Sequence, residues 1–191
     1  MKYQAFIFDL DGTLVDSALD FQALRSELGL SPNDPILESI AEWTEERRAW
    51  AHDVIHQHER RGAEVSTLIP GVAEFLTLIA SRQKPVALFT RNSREVALAT
   101  LQKHGLEFSL VISRDDAPAK PKPDGLHVIA ETLGLSPSEI LFVGDYLYDL
   151  QAGQAAQMPT ALYLCEPADF DAEGAVFQFG HFDELHGFVE A

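Results

Sequence analysis

Cysteine is nearly absent from this chain of 191 residues, where Cys165 stands alone. A single thiol excludes an intramolecular disulfide framework and fits a reducing compartment, and its expected place is the protein interior. Basic residues are also scarce, 14 Lys and Arg against 30 Asp and Glu, for a formal net charge of −16. Such a chain repels phosphate backbones and anionic lipid, so neither nucleic acid nor a membrane is an expected partner. No apolar run approaches the roughly 18 residues of a membrane span. Asp9 and Asp11 interrupt the first apolar stretch before it reaches the length of a signal-peptide core. The expectation is a soluble cytoplasmic protein. An anionic substrate would need positive charge supplied locally, by a metal or by one of only five lysines.

What is present is concentrated in a few short stretches. The length suits one main domain with room for a small second one. Residues 5–8 are a continuous apolar run, the pattern of a parallel strand buried on both faces, and Asp9 falls where that strand must end. Ligand sites in open parallel sheets lie at such carboxyl ends. Asp11 is two residues on, so both carboxylates can face one reacting atom, and Gly12 lets the backbone turn close to a bound group. Two carboxylates this close repel unless a proton or cation sits nearby. The simplest supplier is a hard divalent cation with oxygen ligands, Mg²⁺.

Along the chain, Leu19, Ala23, Leu24 and Leu28 recur at helical spacing and Gly29 stops the helix. A long or broken helical segment is expected from about Ile36 to Val65, with Trp43, Trp50 and Ile55 among its apolar members. The sum is an all-helical insert of some fifty residues, far longer than an ordinary connection, and beside a catalytic turn it reads as a lid. Within it, His52, His56 and His58 read as a solvated polar face rather than a metal site. Arg47, Arg48, Arg60 and Arg61 read as exposed helix charges, and the Trp43/Trp50 pair as packing. Pro70-Gly71 opens another helix. Residues 85–90 form a second apolar strand ending in Thr90, followed by Arg91, Asn92 and Ser93. That junction is either a plain helix N-cap or a cradle for phosphate oxygens, and the residues alone do not choose. After a third strand at 110–113, prolines flank Lys120 and Lys122 and hold a charge in a stiff loop. Residues 140–145 repeat the opening pattern, an apolar strand delivering Asp145, with Asp149 four residues later. Gly153 and Pro159 are expected to bracket a turn. A fifth strand is expected over 160–165, then a short apolar run over 175–179 and a last helix from about Asp183.

Strands alternating with helices predict a doubly wound parallel α/β sheet with helices on both faces. The order D-x-D-G-T, strand-terminal Thr, K-P-x-P and G-D-x-x-x-D resembles the four motifs of the haloacid dehalogenase superfamily, from residue 6 to about 153. The resemblance implies a Rossmann-like core over 1–16 and 70–191, with a small helical cap over 17–69. It implies Asp9 as nucleophile and Asp11 as general acid/base. Gly12, Thr90, Arg91 and Asn92 would contact substrate, and Lys120 would offset charge on the transferring group. Mg²⁺ would be held by Asp9, the Asp11 backbone carbonyl and Asp145, with Asp149 as ligand or just behind. The implied activity is hydrolysis of a small phosphorylated metabolite through an aspartyl-phosphate, as in relatives of phosphoglycolate phosphatase and beta-phosphoglucomutase. Asp11 speaks against dehalogenation, and the lack of any lysine between Lys2 and Lys84 against phosphonate hydrolysis through a lid Schiff base. A phosphosugar mutase shares all four motifs and stays open. A receiver-like phospho-acceptor module is a remoter alternative, which D-x-D-G-T and the helical insert do not fit. Arg91 intervenes where Thr is commonly followed by Asn, and Tyr146 replaces a common Ser; both leave the substrate open.

Overall fold

The computed structural model describes residues 3–165 and 167–190. In chain order the elements are β1 (Ala5–Phe8), β2 (Val15–Asp16), α1 (Phe21–Leu28), α2 (Ile36–Ala41), α3 (Glu45–Val65), β3 (Thr67–Leu68), α4 (Val72–Ser81) and β4 (Val86–Phe89). There follow α5 (Arg94–His104), β5 (Leu110–Ile112), α6 (Asp124–Leu133), β6 (Ile140–Gly144), α7 (Leu147–Ala155), β7 (Thr160–Tyr163), β8 (Phe177–Phe179) and α8 (His186–Glu190).

The four residues of β1 are fully buried, with Phe6 and Phe8 on one face and Ala5 and Ile7 on the other. This alternation decides the layering. Phe6, Phe8, Leu88, Leu141 and Val143 pack against Val72, Phe75 and Ile79 of α4 and Ala97 and Leu101 of α5. Ala5, Ile7, Ala87, Phe89 and Phe142 pack against Leu126, Ile129 and Ala130 of α6 and Ala152 of α7. The sheet runs β5-β4-β1-β6-β7-β8 with every neighbouring pair parallel. The fold is therefore the doubly wound parallel α/β sheet expected from the alternation of strands and helices. Because β1 lies between β4 and β6, the chain builds outward on both sides of it, and the crevice at its carboxyl end is the topological switch point.

The chain divides into two compact units, Ser17–Ser66 and the remainder. At the junction β2 and β3 form a two-stranded antiparallel ribbon, Val15 opposite Leu68 and Asp16 opposite Thr67. Ser17–Ser66 has its own apolar cluster, built from Leu24, Leu28, Ile36, Ile40, Ala51, Val54 and Ile55. Asp20 starts α1 by accepting the N–H groups of Gln22 and Ala23 at 3.0 and 2.8 Å. Gly29 ends it in the left-handed conformation, φ 71°.

Several expectations need correction. The long helix is two helices, because the chain leaves helical geometry between Ala41 and Glu45 and Thr44 is extended there. Trp43 therefore lies outside α3, and the seven-residue spacing to Trp50 does not put the two on one face. Trp43 packs at the cluster's edge with the Arg47 guanidinium 3.6 Å from its ring, whereas Trp50 is 45 % exposed. Gly153 lies inside α7 rather than at a turn, since a Cβ there would fall on the Thr160 hydroxyl of β7. The run over 175–179 supplies a sixth strand, β8, with Phe179 buried. Cys165 is exposed, because β7 ends at Tyr163 and the thiol sits in the loop beyond. Among the described residues no helix is long and apolar enough to cross a membrane.

Candidate active site

The sheet unit gathers the motif residues at the carboxyl ends of β1, β4 and β6. Asp9 directly follows β1, and its N–H donates to the Val143 carbonyl at 2.9 Å, so the ladder continues to the edge of the turn. The chain then folds back sharply, the N–H groups of Leu14 and Val15 both returning to the Leu10 carbonyl at 2.9 and 3.0 Å. Gly12 takes a φ of +78°, and a Cβ there would overlap the Asp145 carboxylate. Glycine is thus required for conformation and for space. Thr13, fully buried, donates from Oγ1 to Asp145 Oδ1 at 2.8 Å.

Lys120 is the positive centre. Its Nζ lies 2.6 Å from Asp9 Oδ1 and 2.6 Å from Asp149 Oδ1, and its side chain is 1 % exposed. The rings of Phe89 and Phe142 lie 5.6 Å from the ammonium, within cation–π range. Burial favours the neutral amine, but the adjacent Asp149 and Asp9 carboxylates outweigh it and raise the pKa. Lys122, two residues on, is exposed. Asp149 is fully engaged: Oδ1 accepts from Lys120, and Oδ2 accepts from the N–H groups of Asp145 and Tyr146 at 3.2 and 3.0 Å.

Carboxylate oxygens of Asp9, Asp145 and Asp149 all lie within 4.8 Å of one another. Burial pushes the Asp9 carboxyl up to about 7, against the pull of Lys120 and with a further push from Asp149 and Asp11. Asp145 is pushed up to about 8, by burial first and then by Asp149 and Asp9. One ammonium cannot balance one buried and two half-buried carboxylates, and the donor set is all oxygen. That combination fits a hard divalent cation. Among the described residues no other group of His, Cys, Asp and Glu converges in this way. His58 in the helical unit lies 2.8 Å from Glu27 instead.

The remaining motif residues frame the cluster. Asn92 Nδ2 donates to Asp11 Oδ2 at 2.6 Å, which holds the second carboxylate of the turn apart from the Asp9–Asp145–Asp149 group. Thr90, 1 % exposed, accepts the Asn92 N–H on Oγ1 at 3.2 Å. Ser93 caps α5 by accepting the Val96 N–H, so the β4–α5 junction contains a helix cap whatever else it binds. Arg91 donates to the Lys120 carbonyl, and its guanidinium lies 4.5 Å from the Tyr148 ring. Three contributors were not singled out from sequence. Thr13 was visible only as a small polar residue in a conspicuous motif. Tyr146 stood out only as a departure from a common Ser, and Tyr148 not at all.

A model of the haloacid dehalogenase-like hydrolase family matches residues 3–157. A phosphoglycolate phosphatase of Chromobacterium violaceum is 31% identical, over 98% of this chain and 96% of its own. An N-acetylmuramic acid 6-phosphate phosphatase of Pseudomonas putida is also 31% identical, over 84% of this chain and 82% of its own. The crystal structure of a hydrolase from Pseudomonas syringae shares the fold, with a TM-score of 0.80 and 24% identity, covering 97% of this chain and 96% of that one. The family match spans Asp9, Thr90, Lys120 and Asp145, and the chain belongs to the haloacid dehalogenase-like hydrolases.

Proposed function

We propose that this hydrolase is a Mg²⁺-dependent phosphatase that cleaves a small phosphomonoester through an aspartyl-phosphate on Asp9. The observation that carries this reading is the buried Lys120, whose ammonium bridges Asp9 and Asp149 at the switch point of the sheet. A lysine so placed holds the Asp9 carboxylate in one orientation and offsets charge on a phosphoryl group brought to it.

An Asp9 oxygen attacks phosphorus, the P–O bond to the alcohol breaks, and Asp11 gives the departing oxygen its proton. Asp11, then ionised, takes a proton from water, whose oxygen displaces Asp9 and releases inorganic phosphate. The Asn92 amide keeps the Asp11 carboxylate in place for both transfers. Thr90 and the N–H groups after it supply hydrogen bonds to phosphoryl oxygens. Mg²⁺ held by Asp9, Asp145 and the Asp11 carbonyl would neutralise developing charge on those oxygens. Asp149, with both oxygens engaged, acts through Lys120 and the 145–146 backbone rather than as a direct ligand.

The test is inorganic phosphate release from a panel of phosphomonoesters, with Mg²⁺ and with chelator, for the wild type and for Asp9→Asn. Turnover that needs the metal and falls about 10⁴-fold or more in the variant is the expected result. Isomerisation of a sugar phosphate without phosphate release, or retention of the phosphate on the protein, would overturn it.

A further inference from the structure

An aromatic wall leaves the catalytic cluster on the side of β6 and β7. It starts at the carbonyl of Lys120, where the Arg91 guanidinium is bound, and Arg91 lies 4.5 Å from the Tyr148 ring. Tyr148 meets Tyr146 edge to face at 5.3 Å between centroids, and Tyr146 meets Phe170 in the same manner at 5.4 Å. Phe170 in turn lines an open cavity of about 530 Å³ at the carboxyl ends of β7 and β8. The ring contacts thus form an unbroken chain from Arg91 to a residue at the edge of that cavity.

Two features distinguish it from ordinary packing. Tyr146 directly follows Asp145 yet is 46 % exposed, so much of its surface remains available after both ring contacts are made. Its backbone is fixed by the bond from its N–H to Asp149 Oδ2, and Tyr148 is held under Arg91. A half-exposed ring held between two aromatic neighbours, one residue from Asp145, offers a stacking surface. The cavity beyond is mixed in character, with Leu164, Pro167, Phe170 and Phe179 beside Gln178 and Glu184 in its lining. Among the described residues that line it there is no Lys or Arg, while Glu184 contributes a carboxylate. A leaving group carrying a second phosphate or a carboxylate would meet repulsion there.

We infer that Tyr146, backed by Tyr148 and Phe170, is a specificity platform for the leaving group, and that the substrate is the phosphomonoester of an alcohol bearing an uncharged ring. The inference rests on the phosphatase reading above and narrows it. A nucleoside and a pyranose share the required chemistry, a flat or faceted ring face that stacks on tyrosine.

The experiment compares kcat/KM for adenosine 5′-monophosphate, glucose 6-phosphate and 2-phosphoglycolate in the wild type, Tyr146→Ala and Tyr146→Phe, with Mg²⁺. The wild type is expected to favour at least one ring ester over 2-phosphoglycolate. Tyr146→Ala is expected to erode that preference roughly tenfold through KM, and Tyr146→Phe to retain it, because the ring face and not the hydroxyl makes the contact. The ring ester favoured distinguishes a planar base from a sugar. A wild-type preference for 2-phosphoglycolate, or an equal loss on all three esters in Tyr146→Ala, overturns the platform. Absence of turnover on every ester overturns the phosphatase reading instead. The platform is then decided by calorimetry with Asp9→Asn, where adding Tyr146→Ala should weaken adenosine 5′-monophosphate at least fivefold more than orthophosphate. Equal weakening overturns it.

Discussion

The sheet unit and the helical unit treat charge in opposite ways. At the carboxyl end of the sheet, Lys120 and Asp149 are almost wholly buried, and Asp9 and Asp145 carry carboxyls that burial drives far above their usual range. In Ser17–Ser66 the charged side chains lie largely on exposed helix faces, with Glu59 the buried one. Buried charge is costly and persists where geometry and partners hold it. Its concentration in one unit marks where the chemistry is.

The widest contrast to test is between two lysines of one loop. Lys120→Met should lower phosphate release by about 10³-fold, through loss of charge opposite the phosphoryl group. It should also cost about 3–5 kcal/mol in urea unfolding of the metal-free protein, because Asp9 and Asp149 lose their counter-charge. Lys122→Met, on the exposed side chain, should change either quantity little. Similar losses in both variants would erase the distinction between buried and solvated charge.

Gly12→Ala comes next. The backbone conformation at φ +78° and the overlap with Asp145 should together cost about 1–3 kcal/mol. Phosphate release should fall with stability, because the turn that carries Asp9 and Asp11 must move. Unchanged urea and activity profiles would show that the turn has room the structure denies it.

Proton linkage sharpens the comparison further. Burial holds the Asp9 and Asp145 carboxyls up at about 7 and about 8 in the folded protein, against about 3.9 when unfolded. Between those limits the folded chain binds more protons than the unfolded one, so metal-free stability is highest below about pH 4 on this account and falls as pH rises to about 8. The raised Lys120 pKa acts only above its usual alkaline range and does not enter this window. Mg²⁺ must displace those protons at low pH but not at high pH. Its gain in Tm should therefore be larger at pH 8 than at pH 5.5, and the reverse order would contradict the cluster. The smallest effect belongs to the helical unit: Trp50→Gln, at a half-exposed ring, should shift stability by about 0.5 kcal/mol or less.

Much of the sheet could be read from sequence because buried parallel strands are apolar on both faces and end in functional groups. Phe6-Ile7-Phe8-Asp9 and Phe142-Val143-Gly144-Asp145 each declare both facts within a few residues. The register of the lysine was harder, since Lys120 and Lys122 share one loop and only the fold shows which is buried. Two-residue strands such as β2 and β3 have no periodicity to detect. The break between α2 and α3 is another gap, for Glu42, Trp43 and Thr44 carry neither Gly nor Pro to announce it. Tyr146 was conspicuous only by what it replaced, because the aromatic wall is assembled from two separate stretches, 146–148 and 170, and neither alone displays it.

The ribbon of β2 and β3 has a consequence beyond its four residues. By pairing Asp16 with Thr67, it places the departure and the return of a fifty-residue insertion side by side on the catalytic unit. The ends of that insertion are closed by the core itself, so lengthening or shortening it changes the closure entropy only slowly. The helical unit is in this sense an interchangeable attachment. Its size and surface can be remodelled while Asp9, seven residues upstream of the ribbon's last residue on that strand, stays where the sheet puts it.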